Sequence, residues 1–493
     1  MTATDESHGL LREVPYASKR SVRDEEMSGG RRGRSAVTRQ RRTADLAVRN
    51  TFAANVALAV LGAATGVLSA RILHPAGEGE FSAIQTWPLL LGTLAMLGLD
   101  AALVYFIAQH PERGRQFTST AVLLGFLSSL AVGAVAWFAL PFALRTQPPQ
   151  VVSAARVFLL IGGIYAIVGI PHGSLRAAHS FTAWNLFRVV PGIAWLCILV
   201  TSWLLGHSNA IPLSRWYLAG SLACGLPFLL VVNRKLKGPL RPDARLAPEM
   251  LRFGFPLAVA SLPLTINVQF DQLLIVAFLP ARSLGLYVVA VSWSGGVAPL
   301  LQALGTVLFP RVSAERDADR REHLLATALQ SGALVAVATS LPFMLLAPFV
   351  LPLVFGSGFA PSIPSALVLV PASAILAWAR IAEAGLQGLG HPSMVLVAEA
   401  LAAVVTLAGL AVFLHTNGIF GAAMASLLGY STIAAFTVFA IRRSTCQGIR
   451  SLVIPTWPVT KSLAARSVSL FPVKRHSRGR HRSSGRHSLR GTS

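Results

Sequence analysis

The 493-residue chain is 53% hydrophobic and only 13% charged, with a mean hydropathy of +0.59. Soluble domains carry roughly a quarter charged residues, so this composition excludes an ordinary soluble protein. The formal net charge of +23 raises nucleic-acid binding, but the charge is gathered in two terminal segments that lack interleaved aromatics, which argues against such a partner.

Residues 1–47 contain "KRSVRDEEMSGGRRGRSAVTRQRR" and show no apolar periodicity that would build a core, so they are expected to be a disordered basic tail. The first apolar run begins near residue 52 and is a full span, not the short core of a cleavable signal. A helix needs roughly 20 apolar residues to cross about 30 Å of hydrocarbon. Such runs are expected near 50–72, 81–107, 118–143, 152–172, 181–204, 213–232, 253–278, 285–309, 324–354, 362–386, 394–414 and 418–441. The fold class is therefore an all-α integral membrane protein of about twelve transmembrane helices. Ten-residue segments of alternating hydrophobicity are missing, which argues against a membrane barrel.

Loop charge sets the orientation, because Lys and Arg accumulate in short cytoplasmic loops. With the N-terminus inside, the inner loops hold Arg113, Arg115, Arg176, Arg234, Lys235, Lys237, Arg241, Arg245, Arg252, Arg311, Arg316, Arg320 and Arg321. The outer edges hold only Arg71, Arg145, Arg215 and Arg282. Both termini are then cytoplasmic, in a cell membrane (plasma or inner). The basic tail 443–493 obeys the same rule and, like the first, is expected to be disordered and to touch anionic membrane lipid.

Cys197, Cys224 and Cys446 have neither metal-ligand spacing nor a disulfide pattern. No phosphate-binding Gly-rich loop, metal cluster or nucleophile elbow stands in the sequence. A chain without catalytic machinery, metal or cofactor is expected.

Internal repetition organises the spans. "LHPAGEGEFSAIQTW" (73–87) matches "LPARSLGLYVVAVSW" (279–293) at a shift of 206 residues, pairing Leu73 with Leu279, Gly79 with Gly285, Phe81 with Tyr287 and Trp87 with Trp293. Two related halves are common in transporters. The expected organisation is an N-lobe of six helices over 50–233, a basic cytoplasmic linker over 234–250, and a C-lobe of six helices over 251–442.

The segment "GFPLAVASLPLTINVQFDQLLIVAFLPARSLGLYVVA" resembles the seventh and eighth helices of polysaccharide flippases of the Wzx type, with "ARILHPAGEGEF" (70–81) and "GLDAALVYFIAQ" (98–109) similar to parts of the first two. The resemblance spans roughly 50–440 and reaches the wider superfamily of multidrug, oligosaccharidyl-lipid and polysaccharide exporters. It implies two six-helix lobes around a central cavity, and a cargo of lipid-linked oligosaccharide moved from the cytoplasmic to the external leaflet.

Polar residues inside apolar spans are the candidate site, since an ionisable group at the bilayer centre costs roughly 2.5–3.5 kcal/mol or more. Asp271 and Asn267 lie four apart on one helix face. They are candidates for coupling to H+ or Na+, the alternative for Asp271 being a packed structural carboxylate. Asp100, near the end of the second span, is a further coupling candidate that reads more simply as interfacial. A pyrophosphate-linked substrate requires cations, which makes Arg188 with Asn185, and Arg380 with Gln387, the substrate-binding candidates. Arg188 lies about 10 Å into its span at 1.5 Å per residue, where snorkelling to the interface is the alternative. For Arg380 the alternative is an ion pair with Glu383, three residues on.

The expected function is a flippase for polyprenyl-pyrophosphate-linked oligosaccharide in cell-surface polysaccharide biosynthesis, coupled to an ion gradient and working with polysaccharide-assembly proteins. A multidrug or small-metabolite exporter is the second reading. A membrane glycosyltransferase or polymer ligase comes third, since no large external loop is expected.

Overall fold

The computed structural model describes residues 32–445 and 448–454. Up to the seventh predicted span the helices are α1 (Arg32–Leu94), α2 (Leu99–Gln109), α3 (Gly114–Ala143), α4 (Pro149–Phe158), α5 (Leu160–Ile164), α6 (Ile170–Ala177), α7 (Phe181–Leu204), α8 (Ala210–Lys235) and α9 (Ala247–Ala260). They continue as α10 (Leu262–Phe278), α11 (Ala281–Gly295), α12 (Ala298–Ala314), α13 (Ala318–Phe355), α14 (Ile363–Gly388), α15 (Pro392–Ser444) and α16 (Ile449–Val453). No strand occurs among the described residues. The protein is an all-helical, multi-pass membrane protein.

Among the described residues, eight helices are long and apolar enough to cross a membrane, or nine if α9 and α10 form one broken span. This does not reach the twelve expected from hydropathy, because α1 with α2, and α15, each run through two predicted spans, and because α11 and α12, which divide the predicted span 285–309, are each short for a crossing. α1 is interrupted at His74, where φ is 56°, and α15 at Gly418, where φ is also 56°. The two halves of α15 fold back on one another, with Gly409 against Ala425 and Gly429 against Thr406, so small residues bring the backbones close. α11 and α12 have 15 and 17 residues and are separated at Gly296 and Val297. Under the 206-residue shift His74 corresponds to Pro280, and both stand where a helix breaks.

Contacts divide the chain into two compact units, one ending at Val259 and the other beginning at Ala260. The division falls inside the seventh predicted span, not in the basic linker, because α9 packs with α2. Met250 is fully buried in a core with Leu99, Leu103, Phe106, Phe117 and Ile170. Phe253 stacks on Tyr105 with ring centroids 4.4 Å apart. Gly98 (φ 71°) and Gly254 meet backbone to backbone, leaving no room for a Cβ on either. In the second unit Leu301, Leu329, Ile381, Leu386 and Ile433 form the core. Phe138, Phe142, Phe349 and Leu353 are exposed, the outward apolar face that a bilayer covers.

The terminal segments differ in part from the expectation of disorder. α1 already begins at Arg32, and α16 lies within the C-terminal segment. Leu452 of α16 is fully buried in the second unit's core, and Gln330 Nε2 of α13 donates to the Ser451 carbonyl oxygen at 2.5 Å. Residues 1–31, 446–447 and 455–493, with Cys446 and most of both basic tails, lie outside the described residues.

Candidate functional site

The second unit holds two sets of buried polar side chains, one around Asp271 and one around Asn267, a helical turn apart on α10. Asn267 and Asp271 occupy one face of α10, and both are buried. Asp271 Oδ2 accepts from Tyr287 of α11 at 2.6 Å and from Ser426 of α15 at 3.4 Å, while Oδ1 accepts from the Gln272 backbone N–H at 2.7 Å. Asn267 Nδ2 donates to Glu399 of α15 twice, to Oε2 at 2.6 Å and to the carbonyl oxygen at 3.0 Å. Thr406 donates to Asn267 Oδ1 at 3.5 Å, and Tyr430 to the Asn267 carbonyl at 3.3 Å. From Glu399 the network passes to α14, where Arg380 Nη1 donates to Glu399 Oε1 and, at 2.7 Å, to Glu383 Oε2.

Two carboxylates therefore share one guanidinium, and Asp271 is a third acid one helical turn from Asn267, all inside helices of spanning hydropathy. Uncompensated charge is costly there, so this arrangement is suited to holding a proton or a cation when all three acids would otherwise be ionised. Beside it lies a cavity of about 610 Å³ whose wall includes Ser261, Arg380, Glu383, Gln387, Ser393 and Glu399. Arg380 and Gln387 thus share one cavity. Glu383, read from sequence only as a neutraliser of Arg380, forms part of the same wall.

The first unit holds the other pair. Asn185 is buried on α7 and its Nδ2 donates to Thr51 of α1 at 3.0 Å, while its Oδ1 is buried with no hydrogen-bond partner among the described residues. Arg188, one turn on, lies over the Trp184 ring at 4.6 Å, and its Nη1 is likewise buried and unpartnered among those residues. His172 of α6 stacks on Phe187 at 4.2 Å, and its Nε2 lies 3.0 Å from the Trp184 carbonyl oxygen. No carboxylate pairs with Arg188 among the described residues, in contrast with Arg380. Asp100 is exposed in the first turn of α2, where a carboxylate complements the helix dipole. The seven candidates thus fall into separate places: Asp271 with Tyr287 and Ser426, Asn267 joined through Glu399 to Arg380 with Gln387 on the same cavity wall, Asn185 and Arg188, and Asp100 by itself.

Sequence reasoning missed Glu399, although it is the lone acid of an apolar span just as Asp271 is. Tyr287 was matched to Phe81 in the repeat, but the match does not reveal its bond to Asp271. Glu78 was also missed, because it lies in the link between two predicted spans; it is buried and accepts from Ser69 at 2.5 Å.

The family model described as polysaccharide biosynthesis protein matches residues 48–316, which takes in the first unit's helices from residue 48 onward and the α10 to α12 segment of the second. The chain belongs to the polysaccharide biosynthesis protein family. No curated protein matches it at a significant level. Among solved structures, the chain resembles the lipid II flippase MurJ in an inward closed conformation, with a TM-score of 0.70 at 14% identity, over 85% of this chain and 93% of that one. It resembles an inward-facing multidrug resistance MATE family transporter of the MOP superfamily, with a TM-score of 0.65 at 16% identity, over 78% and 94% of the two chains. A MOP superfamily transporter from Pyrococcus furiosus follows at 0.57 and 16% identity, over 82% and 95%. This member of the polysaccharide biosynthesis family therefore has the fold of MOP superfamily transporters.

Proposed function

We propose that this protein is a flippase that moves polyprenyl-pyrophosphate-linked oligosaccharide from the cytoplasmic to the external leaflet for cell-surface polysaccharide biosynthesis. It spans the cell membrane twelve times with both termini cytoplasmic, and it is a carrier, not an enzyme. The observation that carries the cargo assignment is Arg188: a guanidinium about two turns inside a span, with a buried Nη1 that no described residue satisfies and no carboxylate among those residues to neutralise it. Such a cation suits a phosphate oxygen, and Asn185 one turn away supplies a second polar group. The family membership and the likeness to a lipid II flippase support the same reading. Transport is driven by H+ or Na+ taken up at Asp271, with Asn267 orienting the neighbouring Glu399. Lipid-linked oligosaccharide and bilayer lipids are the partners, with polysaccharide-assembly proteins downstream.

The deciding experiment deletes the gene and labels the lipid-linked oligosaccharide. Accumulation in the cytoplasmic leaflet, reversed by the wild-type gene, is the expected outcome. An unchanged distribution between leaflets overturns the assignment. One observation favours the second reading, a multidrug or small-metabolite exporter: the cavity beside Arg380 has more carboxylate than guanidinium and so suits a cationic cargo. Deletion would then raise sensitivity to cationic drugs and leave the lipid-linked intermediate untouched.

A further inference from the structure

We propose that the groove between α3 and the segment formed by α4 and α5, all in the first unit, binds an anionic glycerophospholipid, with its phosphate on Arg156 and one acyl chain laid along the groove. The site does not depend on the cargo assigned above.

Pro141 sets the position of the cation. Within α3 the Trp137 carbonyl would accept from the N–H four residues on, but residue 141 is proline and has none. Arg156 of α4 supplies the missing donor: its Nε donates to the Trp137 carbonyl oxygen at 3.0 Å, and its guanidinium lies 5.0 Å from the centroid of the Trp137 ring. These contacts engage one nitrogen and fix the plane of the other two. Both Nη groups are left without a hydrogen-bond or ion-pair partner among the described residues. Arg156 stands about 10 Å along its helix from Pro149, in a segment of spanning hydropathy, so its charge calls for a counter-charge. A long cation in a span ordinarily snorkels to water, which the bond to the Trp137 carbonyl opposes. Tryptophan rings settle at the level of lipid head groups, and Trp137 holds Arg156 there.

Below the cation the groove is apolar. It is a cavity of about 460 Å³ bordered by Leu130 and Phe138 of α3 and Leu160 of α5, all three exposed on the face that meets the bilayer. It opens over Gly133, where an added Cβ would meet nothing within 4 Å. From Trp137 to Phe126, which also lines it, α3 rises about 16 Å, half of the roughly 30 Å of hydrocarbon. The groove therefore has the depth of one leaflet, with its cation at the head-group end.

Charge selects the lipid. A phosphodiester oxygen accepts from the Nη groups in a charge-assisted bond. A zwitterionic head group adds an ammonium, for which the groove offers no partner, since no acidic side chain lines it. A net negative head group leaves no charge unmatched. A free phosphate would meet Arg156 and leave the apolar trough empty.

The test uses the purified full chain in detergent micelles, with binding of dioleoyl phosphatidylglycerol, dioleoyl phosphatidylethanolamine and dioleoylglycerol read by native mass spectrometry. The expected result is one phosphatidylglycerol bound about ten-fold or more tighter than either of the others, as a charge-assisted hydrogen bond supplies. Arg156→Gln should abolish that preference. Gly133→Phe, which fills the groove and leaves Arg156 in place, should abolish it too, so the site is read even if the arginine variant melts early. Arg188→Gln should retain it, and glycerol 3-phosphate should not displace the lipid. Phosphatidylglycerol binding no tighter than phosphatidylethanolamine to the wild-type protein overturns the inference and needs no variant to read. A preference that survives in Arg156→Gln or Gly133→Phe, or that is lost in Arg188→Gln, overturns the site. Displacement by glycerol 3-phosphate reveals a plain anion site and overturns the lipid.

Discussion

Tyr287 of α11 donates its hydroxyl to Asp271 Oδ2 of α10 at 2.6 Å, and both residues are buried. The pair joins two consecutive helices of the second unit across the break at Leu279 and Pro280, and Ser426 of α15 approaches the same oxygen at 3.4 Å. A carboxylate with three donors around it has its charge partly met by hydrogen bonds, which is how an acid persists in a span at all. The same donors make the site sensitive to its protonation state, because a neutral carboxyl must itself donate and so disturbs the arrangement.

The first prediction concerns that protonation. Asp271→Asn preserves volume and most hydrogen bonding but removes titration, so the protein should insert and fold while losing ion-driven transport in reconstituted vesicles. Wild-type rates across several pH values and sodium gradients would show that Asp271 only packs. Tyr287→Phe removes the shortest donor and should lower thermal stability by about 1–3 kcal/mol, the cost of a buried acceptor deprived of its partner.

How much of this was legible in the sequence depends on what each signal encodes. Apolar runs record the thickness of the bilayer, so the spans, the helical class and the membrane setting were readable. Backbone geometry is recorded there only in part: the breaks at His74 and Gly418 fall at gaps between predicted spans, whereas the break at Gly296 and Val297 lies inside the predicted span 285–309 and leaves no mark on hydropathy. Asn267 and Asp271 were found because four-residue spacing places them on one face. Their partners Glu399, Ser426 and Tyr430 lie more than 130 residues away and are brought in by packing of α15, which periodicity along a single helix does not report.

The second prediction concerns packing of α2 on α9. Gly98 combines a left-handed φ of 71° with direct contact on the Gly254 backbone. Gly98→Ala should therefore destabilise by about 1–2 kcal/mol from backbone strain, and by more from the clash. Thermal melting followed by fluorescence size exclusion should show a clear drop. Ala at Gly133, where nothing lies within 4 Å of the added Cβ, should melt like the wild type.

The third prediction separates α16 from the rest of the C-terminal tail. Deleting 455–493 should leave melting temperature and transport intact. Deleting 449–493 removes the buried Leu452 and the Gln330 to Ser451 bond, and should lower stability; Leu452→Ala alone should cost about 2–5 kcal/mol. Identical melting of the two truncations would show that α16 adds nothing to the second unit.

Orientation supplies the fourth prediction. Ala318, Ser357 and Asn417 are all exposed at helix ends or breaks. After Cys197, Cys224 and Cys446 are replaced, single Cys probes at 357 and 417 should react with an impermeant thiol reagent from outside sealed cells, while a probe at 318 should not. Labelling at 318 would invert the topology and place both basic tails outside.

The last prediction contrasts the two arginines, both substrate-binding candidates from the sequence. Arg380 is tied to Glu383 and Glu399, so Arg380→Gln leaves two buried carboxylates facing one another without their cation. Breaking a buried pair this way costs about 3–5 kcal/mol, so this variant should be damaged in folding, with a lowered melting temperature and reduced yield. Arg188 has no such partner among the described residues, and it rests on Trp184 with Nη1 unsatisfied by any of them. Arg188→Gln should therefore melt within a few degrees of the wild type and insert normally. Its defect should appear in cargo binding, weakened about ten- to hundred-fold for polyprenyl-pyrophosphate-linked probes, the range expected for a lost charge-assisted bond to phosphate. Affinity for the same glycan without pyrophosphate should not change. Binding of both probe types measured on variants matched for amount reads the difference. An Arg188→Gln protein that binds the pyrophosphate-linked probe as tightly as the wild type would remove Arg188 from the substrate site and leave it as a residue reaching for the membrane interface.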